Sequence, residues 1–85
     1  MPYIDPLRRR ALREELLTGV APPQIPGELH FLLTSQLLMY LEERGSSYAT
    51  FNDCLGALEG AKLEFFRRIV VPYEDKKREE NGDVY

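Results

Sequence analysis

Apolar residues recur at helical spacing in four segments of the chain, which predicts an all-α protein. The predicted helices cover residues 5–18, 26–44, 51–70 and 72–81. Their ends carry residues that suit a helix terminus, such as Asp5 before the first helix and Gly45 after the second. We therefore expect one helical domain over residues 1–85, built from three to four helices.

The second predicted helix is apolar on more than one face. A helix of this kind is either central or covered on two sides, and one small domain rarely supplies two sides. We expect the second and third helices to form an antiparallel hairpin, with the surplus apolar face buried in a homo-oligomer. The apolar positions are Leu29, Phe31, Leu32, Leu33, Leu37, Leu38, Met39, Tyr40 and Leu41.

The third predicted helix starts at Thr50-Phe51-Asn52-Asp53, which has the pattern of a capping box. It contains Gly56 and Gly60 four residues apart, although glycine inside a helix costs about 1 kcal/mol relative to alanine. This predicts a close approach at the glycines, either a helix crossing or room for a flat ligand. Pro72 is expected to end or kink the helix near residues 69–71.

The C-terminal segment PYEDKKREENG has acidic residues first, basic residues later and an Asn-Gly stop. This order complements the dipole of a helix and predicts the short fourth helix. The last three residues, 83–85, are expected to turn back against the body of the protein.

Composition and charge exclude some classes of function and favour an oligomeric protein outside the membrane. An 85-residue chain buries only about 60–65% of the surface of its unfolded form, so a lone monomer would be marginal and an oligomer is favoured. Hydrophobic residues make up 44% of the chain, the mean hydropathy is −0.36, and no stretch is long and apolar enough to predict a membrane span. The net charge of −3 disfavours nucleic acid as a partner. With no apolar leader at the start, we expect a cytoplasmic protein.

Candidate catalytic residues are few. The single cysteine, Cys54, forms no internal disulfide or zinc-ligand spacing, and His30 is the only histidine. Glu59 and Glu64 are five residues apart, about 140° round a helix, so they do not form the paired carboxylates of magnesium-dependent nucleotide hydrolases. We expect a protein that is not an enzyme and that has no metal site and no cofactor.

An anion site is the stronger prediction. The guanidinium groups of Arg67 and Arg68 suit phosphate oxygens, and Lys76 or Lys77 follows within a dozen residues. A nucleotide base could stack on a tyrosine ring, and side-chain amides or carboxylates could read its hydrogen bonds. In the alternative interpretation, the arginines complement the end of their helix and pair with neighbouring carboxylates. The predicted ligand-binding residues are Arg67, Arg68, Tyr73, Lys76, Lys77, Asn81 and Asp83.

Three segments carry a resemblance to a known group of proteins: PGEL at 26–29, LEGAKLEFFRR at 58–68 and VPYEDKKREENGDVY at 71–85. They resemble a family of small, largely uncharacterised proteins of phages and of microbial genomes with viral genes. Its members close with a pattern like EFYRRVVxPYEDKKxxENGDVY. The match spans residues 26–85 and departs from the pattern at Phe66, where tyrosine is usual, and at Gly60, where a larger residue is common.

The resemblance shapes the function hypotheses. Part of the third helix is similar to the helix of phage proteins that sequester cyclic signalling nucleotides between subunits as an anti-defence device. The first hypothesis is therefore a non-enzymatic phage-type protein that holds a phosphate-bearing signalling nucleotide at a subunit interface, in the host cytoplasm if it is phage-encoded. The alternative is a protein–protein interaction module that acts on a host or viral partner. A magnesium-dependent nucleotide hydrolase is a weaker alternative.

Overall fold

The computed structural model describes residues 3–85, and the regular structure in this range is helical with no strand. The prediction of an all-α protein is confirmed. Two compact units divide the chain, one over Met1–Met39 and the other over Tyr40–Tyr85.

The N-terminal unit contains helix α1, Pro6–Gly19, and most of helix α2, Pro26–Arg44. α1 begins where the Asp5 carboxylate accepts a hydrogen bond of 2.8 Å from the Leu7 N–H, which satisfies one of the free amides of the first turn. α2 begins in a related way, because the Glu28 carboxylate reaches back and accepts the Gln24 N–H at 2.9 Å. α2 ends at Arg44, and the next residue, Gly45, has a φ of +86°, which suits glycine.

Helix α3, Tyr48–Phe65, starts three residues before the predicted helix. The N-cap is Ser47, whose hydroxyl oxygen accepts the Thr50 N–H at 3.1 Å. Thr50 therefore lies inside the first turn, and its own hydroxyl lies 3.1 Å from that of Ser47. The predicted capping box is wrong, because a serine three residues earlier already satisfies the free amide.

Ser47→Ala is expected to lower the free energy of unfolding by about 1 kcal/mol, since the hydroxyl that caps α3 is lost. Thermal or urea unfolding followed by circular dichroism measures the change. Ser46→Ala is the matched control, as the neighbouring serine lies outside the helix and is not its cap. Equal effects of the two substitutions would contradict the assigned cap.

The third helix neither ends nor breaks at Pro72. α3 passes into one turn of π-helix, Phe66–Val70, hereafter the π-turn, and then directly into helix α4, Val71–Asn81. In the π-turn the Val71 N–H donates to the Phe66 carbonyl, five residues back. Because this wider turn places Pro72 in the first turn of α4, where no N–H is required, the proline is accommodated. Of the two predicted alternatives near residues 69–71, an end of the helix is therefore wrong, and the disturbance found there is the π-turn.

No hydrophobic side chain among residues 3–85 is buried. The only buried residue in this range is Thr50, which is 5% exposed. Large apolar side chains on all four α-helices are exposed to solvent, among them Leu16, Phe31 and Phe65. Space is also open at Gly56 and Gly60, where an added Cβ would meet no atom within 4 Å. Among residues 3–85 of the single chain, nothing makes the close approach predicted at these glycines.

Candidate functional site

Arg67 and Arg68 both lie on the π-turn and share one carboxylate. A terminal nitrogen of Arg67 donates to both oxygens of Glu64 at 2.8 and 2.9 Å, and Nε of Arg68 donates to one of them at 2.9 Å. The hydrogen bond from Arg68, followed by that from Arg67, lowers the pKa of Glu64 below its ordinary value. The i,i+3 and i,i+4 spacings bring the three groups together. These three residues, hereafter the Glu64 cluster, carry two positive charges and one negative charge, and some of the guanidinium N–H donors remain unused.

Arg68→Ala is expected to raise the pKa of Glu64 towards its ordinary value, because the leading cause of the depression is removed. A depressed carboxyl pKa stabilises the fold above the ordinary carboxyl pKa, and this contribution is lost as pH falls through the lower pKa of the folded state. An NMR titration of the Glu64 carboxyl carbon measures the change. Arg78→Ala, on the same continuous helix but not bonded to Glu64, should leave that pKa unchanged. An unchanged pKa in Arg68→Ala would contradict the ion pair.

Tyr73 and Lys77 form the second group of predicted site residues. The Lys77 ammonium lies 5.5 Å from the centre of the Tyr73 ring, at cation–π distance, and 3.5 Å from a carboxylate oxygen of Glu80. Tyr73 as a whole is 58% exposed, so surface is left for a stacking partner. Lys76, the other predicted lysine, is exposed on α4.

A shallow cleft of about 350 Å³ lies between α4 and the last residues of the chain. The chain turns at Gly82, whose φ is +85°, and an Asp83 oxygen then comes within 4.0 Å of the Arg78 guanidinium. Arg78 also lies 3.7 Å from Asp75. Residues 83–85 do turn back, but Val84 and Tyr85 remain exposed. The cleft is lined by Glu74, Asp75, Lys77, Arg78, Asn81, Gly82, Asp83, Val84 and Tyr85.

The predicted site residues thus divide into two neighbouring groups. Lys77, Asn81 and Asp83 line the cleft, while Arg67 and Arg68 belong to the Glu64 cluster. The cleft side chains include three carboxylates and two cations, so it is not by itself a strongly positive anion pocket. Sequence reasoning left Arg78 out of the site, although its spacing of three residues from Asp75 is the usual signal of a helical ion pair.

Metal-binding groups and disulfides give no further site in the part of the chain that the structure describes. Over residues 3–85, no three His, Cys, Asp or Glu side chains are placed to hold a metal ion. Cys54 is half-buried and forms no disulfide.

A second shallow hollow, of about 380 Å³, lies in the N-terminal unit where the proline-rich connector meets the start of α2. Its lining is mostly apolar and includes Ile25, Phe31 and Leu32. The hollow offers contact for an apolar side chain rather than for a charged ligand.

The fold and these surfaces define an all-α protein with exposed apolar helices and a charged C-terminal helix. The chain belongs to the family described as Domain of unknown function (DUF6899), whose family model matches residues 1–84. The match includes the N-terminal helix as well as the C-terminal block. No curated protein and no solved structure matches the chain. None of the helices described for residues 3–85 combines the length and hydropathy needed to cross a membrane.

Proposed function

We propose that this protein is a non-enzymatic protein–protein interaction module that works as a homo-oligomer. The observation that carries the proposal is that none of the hydrophobic side chains in residues 3–85 is buried. Removing apolar surface from water contributes about 25 cal/mol per Å², and it is the main favourable term in both folding and association. Contact between chains would supply the burial that these helices need.

The antiparallel pairing of α2 with α3 is part of this proposal and would form in the assembled protein. Within Tyr40–Tyr85 of the single chain, a hydrogen bond of 2.8 Å from the Tyr40 hydroxyl to the Asp53 carboxylate links the end of α2 to the first turns of α3, but the helices do not pack along their length there. The same hydrogen bond raises the pKa of Tyr40 above its ordinary value. Arg44 lies 5.6 Å from the centre of the Tyr40 ring, on the same stretch of α2.

The outer surface of α2 supports the interaction role. Its exposed apolar residues point in several directions round the helix, including Leu29, Phe31, Leu33 and Met39. Scattered single hydrophobic residues are normal on a surface, but a helix with contiguous apolar exposure is typical of an interaction site. A partner protein would lay an apolar surface against this helix.

Native mass spectrometry of the purified full chain tests the proposal. A defined oligomer is expected, and Leu33→Glu in α2 is expected to lower the subunit number. Gln36→Glu, which adds the same charge one turn along the same helix at a polar position, is the matched control. A stable monomer at high concentration would overturn the homo-oligomer.

Nucleotide sequestration by the oligomer is a second candidate function. It is supported by the two arginines of the π-turn and the exposed Tyr73 ring, which lie on consecutive turns of one helix. Single π-turns occur frequently at functional sites. Arg67 and Arg68 would hold phosphate through the donors that Glu64 leaves unused, with Lys76 or Lys77 beside them. Tyr73 would stack on a base, and Asn81 and Asp83 would read its hydrogen bonds.

The same mass spectrometry with a panel of cyclic and linear nucleotides tests this second function. Sequestration predicts uptake of whole ligands without metal, recovery of intact ligand after denaturation, and loss of uptake in Arg67→Ala/Arg68→Ala. Arg8→Ala/Arg9→Ala removes another adjacent pair of exposed arginines on a helix and should retain uptake. Consumption of the ligand only with Mg²⁺ would instead favour the hydrolase alternative.

A further inference from the structure

Helix α3 carries an apolar face that nothing within the Tyr40–Tyr85 unit covers. Successive positions on this face are spaced by four, three, four, three and four residues, the spacing of a heptad pattern. At about 100° per residue, the five positions within α3 fall in a sector of about 80°, and the sixth follows in the π-turn. We call this apolar face of α3 the α3 face. Its six positions are Phe51, Leu55, Leu58, Lys62, Phe65 and Ile69.

The apolar members of the α3 face are exposed to a similar degree along its length. Leu58 is the least exposed at 40%, and Leu55 is the most exposed at 65%. Lys62 is the single charged member, and its ammonium lies 3.8 Å from Glu59 on the same helix. A face of six positions that is apolar except for one lysine near its middle suits a partner helix whose apolar residues follow the same heptad spacing.

We propose that the α3 face binds the α3 face of a second copy of this chain in antiparallel orientation. The proposal rests on the proposed homo-oligomer and names the surface that forms it. The proposed register centres the antiparallel pair between Leu58 and Lys62. Phe51 of one copy then lies opposite Ile69 of the other, Leu55 opposite Phe65, and Leu58 opposite Lys62. Each pair of positions is therefore related by one twofold axis, so the face is self-complementary as an isologous contact requires.

Charge decides between the antiparallel and the parallel arrangement. A parallel pair in register would place the two Lys62 ammonium groups against each other between apolar layers, which is unfavourable. The antiparallel pair places Lys62 beside Leu58 and next to Glu59 of the second copy. Two lysines and two glutamates then alternate around the axis. A single lysine at such a position fixes orientation at a cost in stability.

Leu58→Glu tests the face, and Leu63→Glu is the matched control. Both leucines lie on α3, but Leu63 lies about 140° round the helix from Leu58 and is 58% exposed. Leu58→Glu is expected to weaken self-association by more than about tenfold, and Leu63→Glu should change it little. Sedimentation or native mass spectrometry over a concentration series measures both, and circular dichroism reports whether each variant remains helical.

Lys62→Leu is a second test of the α3 face that can still be read if Leu58→Glu fails to fold. Replacing the central charge by an apolar side chain is expected to strengthen self-association by more than about tenfold. The same substitution would not strengthen association if the α3 face pointed to solvent or lay against residues 1–39 of its own chain. An unchanged or weaker association would therefore overturn the proposal.

Cysteine cross-linking tests the orientation. In a Cys54→Ser background, a Leu55→Cys chain is mixed with a Phe65→Cys chain of different mass and oxidised. The antiparallel register predicts a disulfide mainly between the two different chains, whereas a parallel pair would link each chain to its own kind. If the wild-type protein is a monomer, the homo-oligomer itself fails. If it is an oligomer indifferent to Leu58→Glu, Lys62→Leu and the cross-link, only the α3 face is wrong.

Discussion

Dilution is expected to lower both the helical content and the Tm of this protein. α1 has 14 residues, and isolated helices shorter than about 12–15 residues are marginal in water. No hydrophobic residue between positions 3 and 85 is buried within the single chain, so tertiary burial does not compensate. When folding depends on association, the apparent stability follows the concentration by mass action. Over an about thousandfold dilution, the Tm should therefore fall by many degrees.

Circular dichroism at 222 nm, recorded as a melt at each concentration, measures this dependence. Leu58→Glu should start from a lower Tm at any given concentration, and Leu63→Glu should follow the wild-type curve. A concentration-independent Tm with a cooperative transition would show that a monomer has a core of its own. That result would contradict the homo-oligomer and would direct attention to contacts between the helices of one chain.

Local rules predicted the helices well because helix ends depend on neighbouring residues. Asp5 and Gly82 are found where their side-chain chemistry and backbone freedom suit a helix end. Competing local solutions caused the errors. Thr50 and Ser47 can both cap a helix, and only the backbone shows that Ser47 does so. Pro72 marks a disturbance in the helix, but its position alone does not distinguish a break from a wider turn.

The candidate site was less predictable than the helices. The sequence alternatives for Arg67 and Arg68 were a phosphate site or ion pairs with nearby carboxylates, and the structure shows both arginines on Glu64. Residues that share one helix can be paired from their spacing, as Arg78 and Asp75 could have been. Contacts between chains follow no such spacing rule, which is why the assembly and its ligand remain predictions.

Gly56→Ala and Gly60→Ala are expected to stabilise the protein, by about 1–2 kcal/mol when combined. Both glycines lie inside α3, where glycine is less favourable than alanine, and an added Cβ meets no atom within 4 Å. Each glycine is two residues from Leu58 in the sequence and therefore lies about 160° round the helix from it. Both glycines thus lie opposite the α3 face. The proposed antiparallel contact therefore leaves room for the new methyl groups.

Chemical unfolding at fixed protein concentration measures the gain, and Gly45→Ala is the contrasting control. Gly45 adopts a φ of +86°, so alanine there should destabilise the protein by about 1 kcal/mol or more. If Gly56→Ala/Gly60→Ala instead weakens self-association while the helices remain intact, a second chain must approach the glycine side of α3. The interface would then lie opposite the α3 face, and the glycines would serve the close helix crossing that their spacing first suggested.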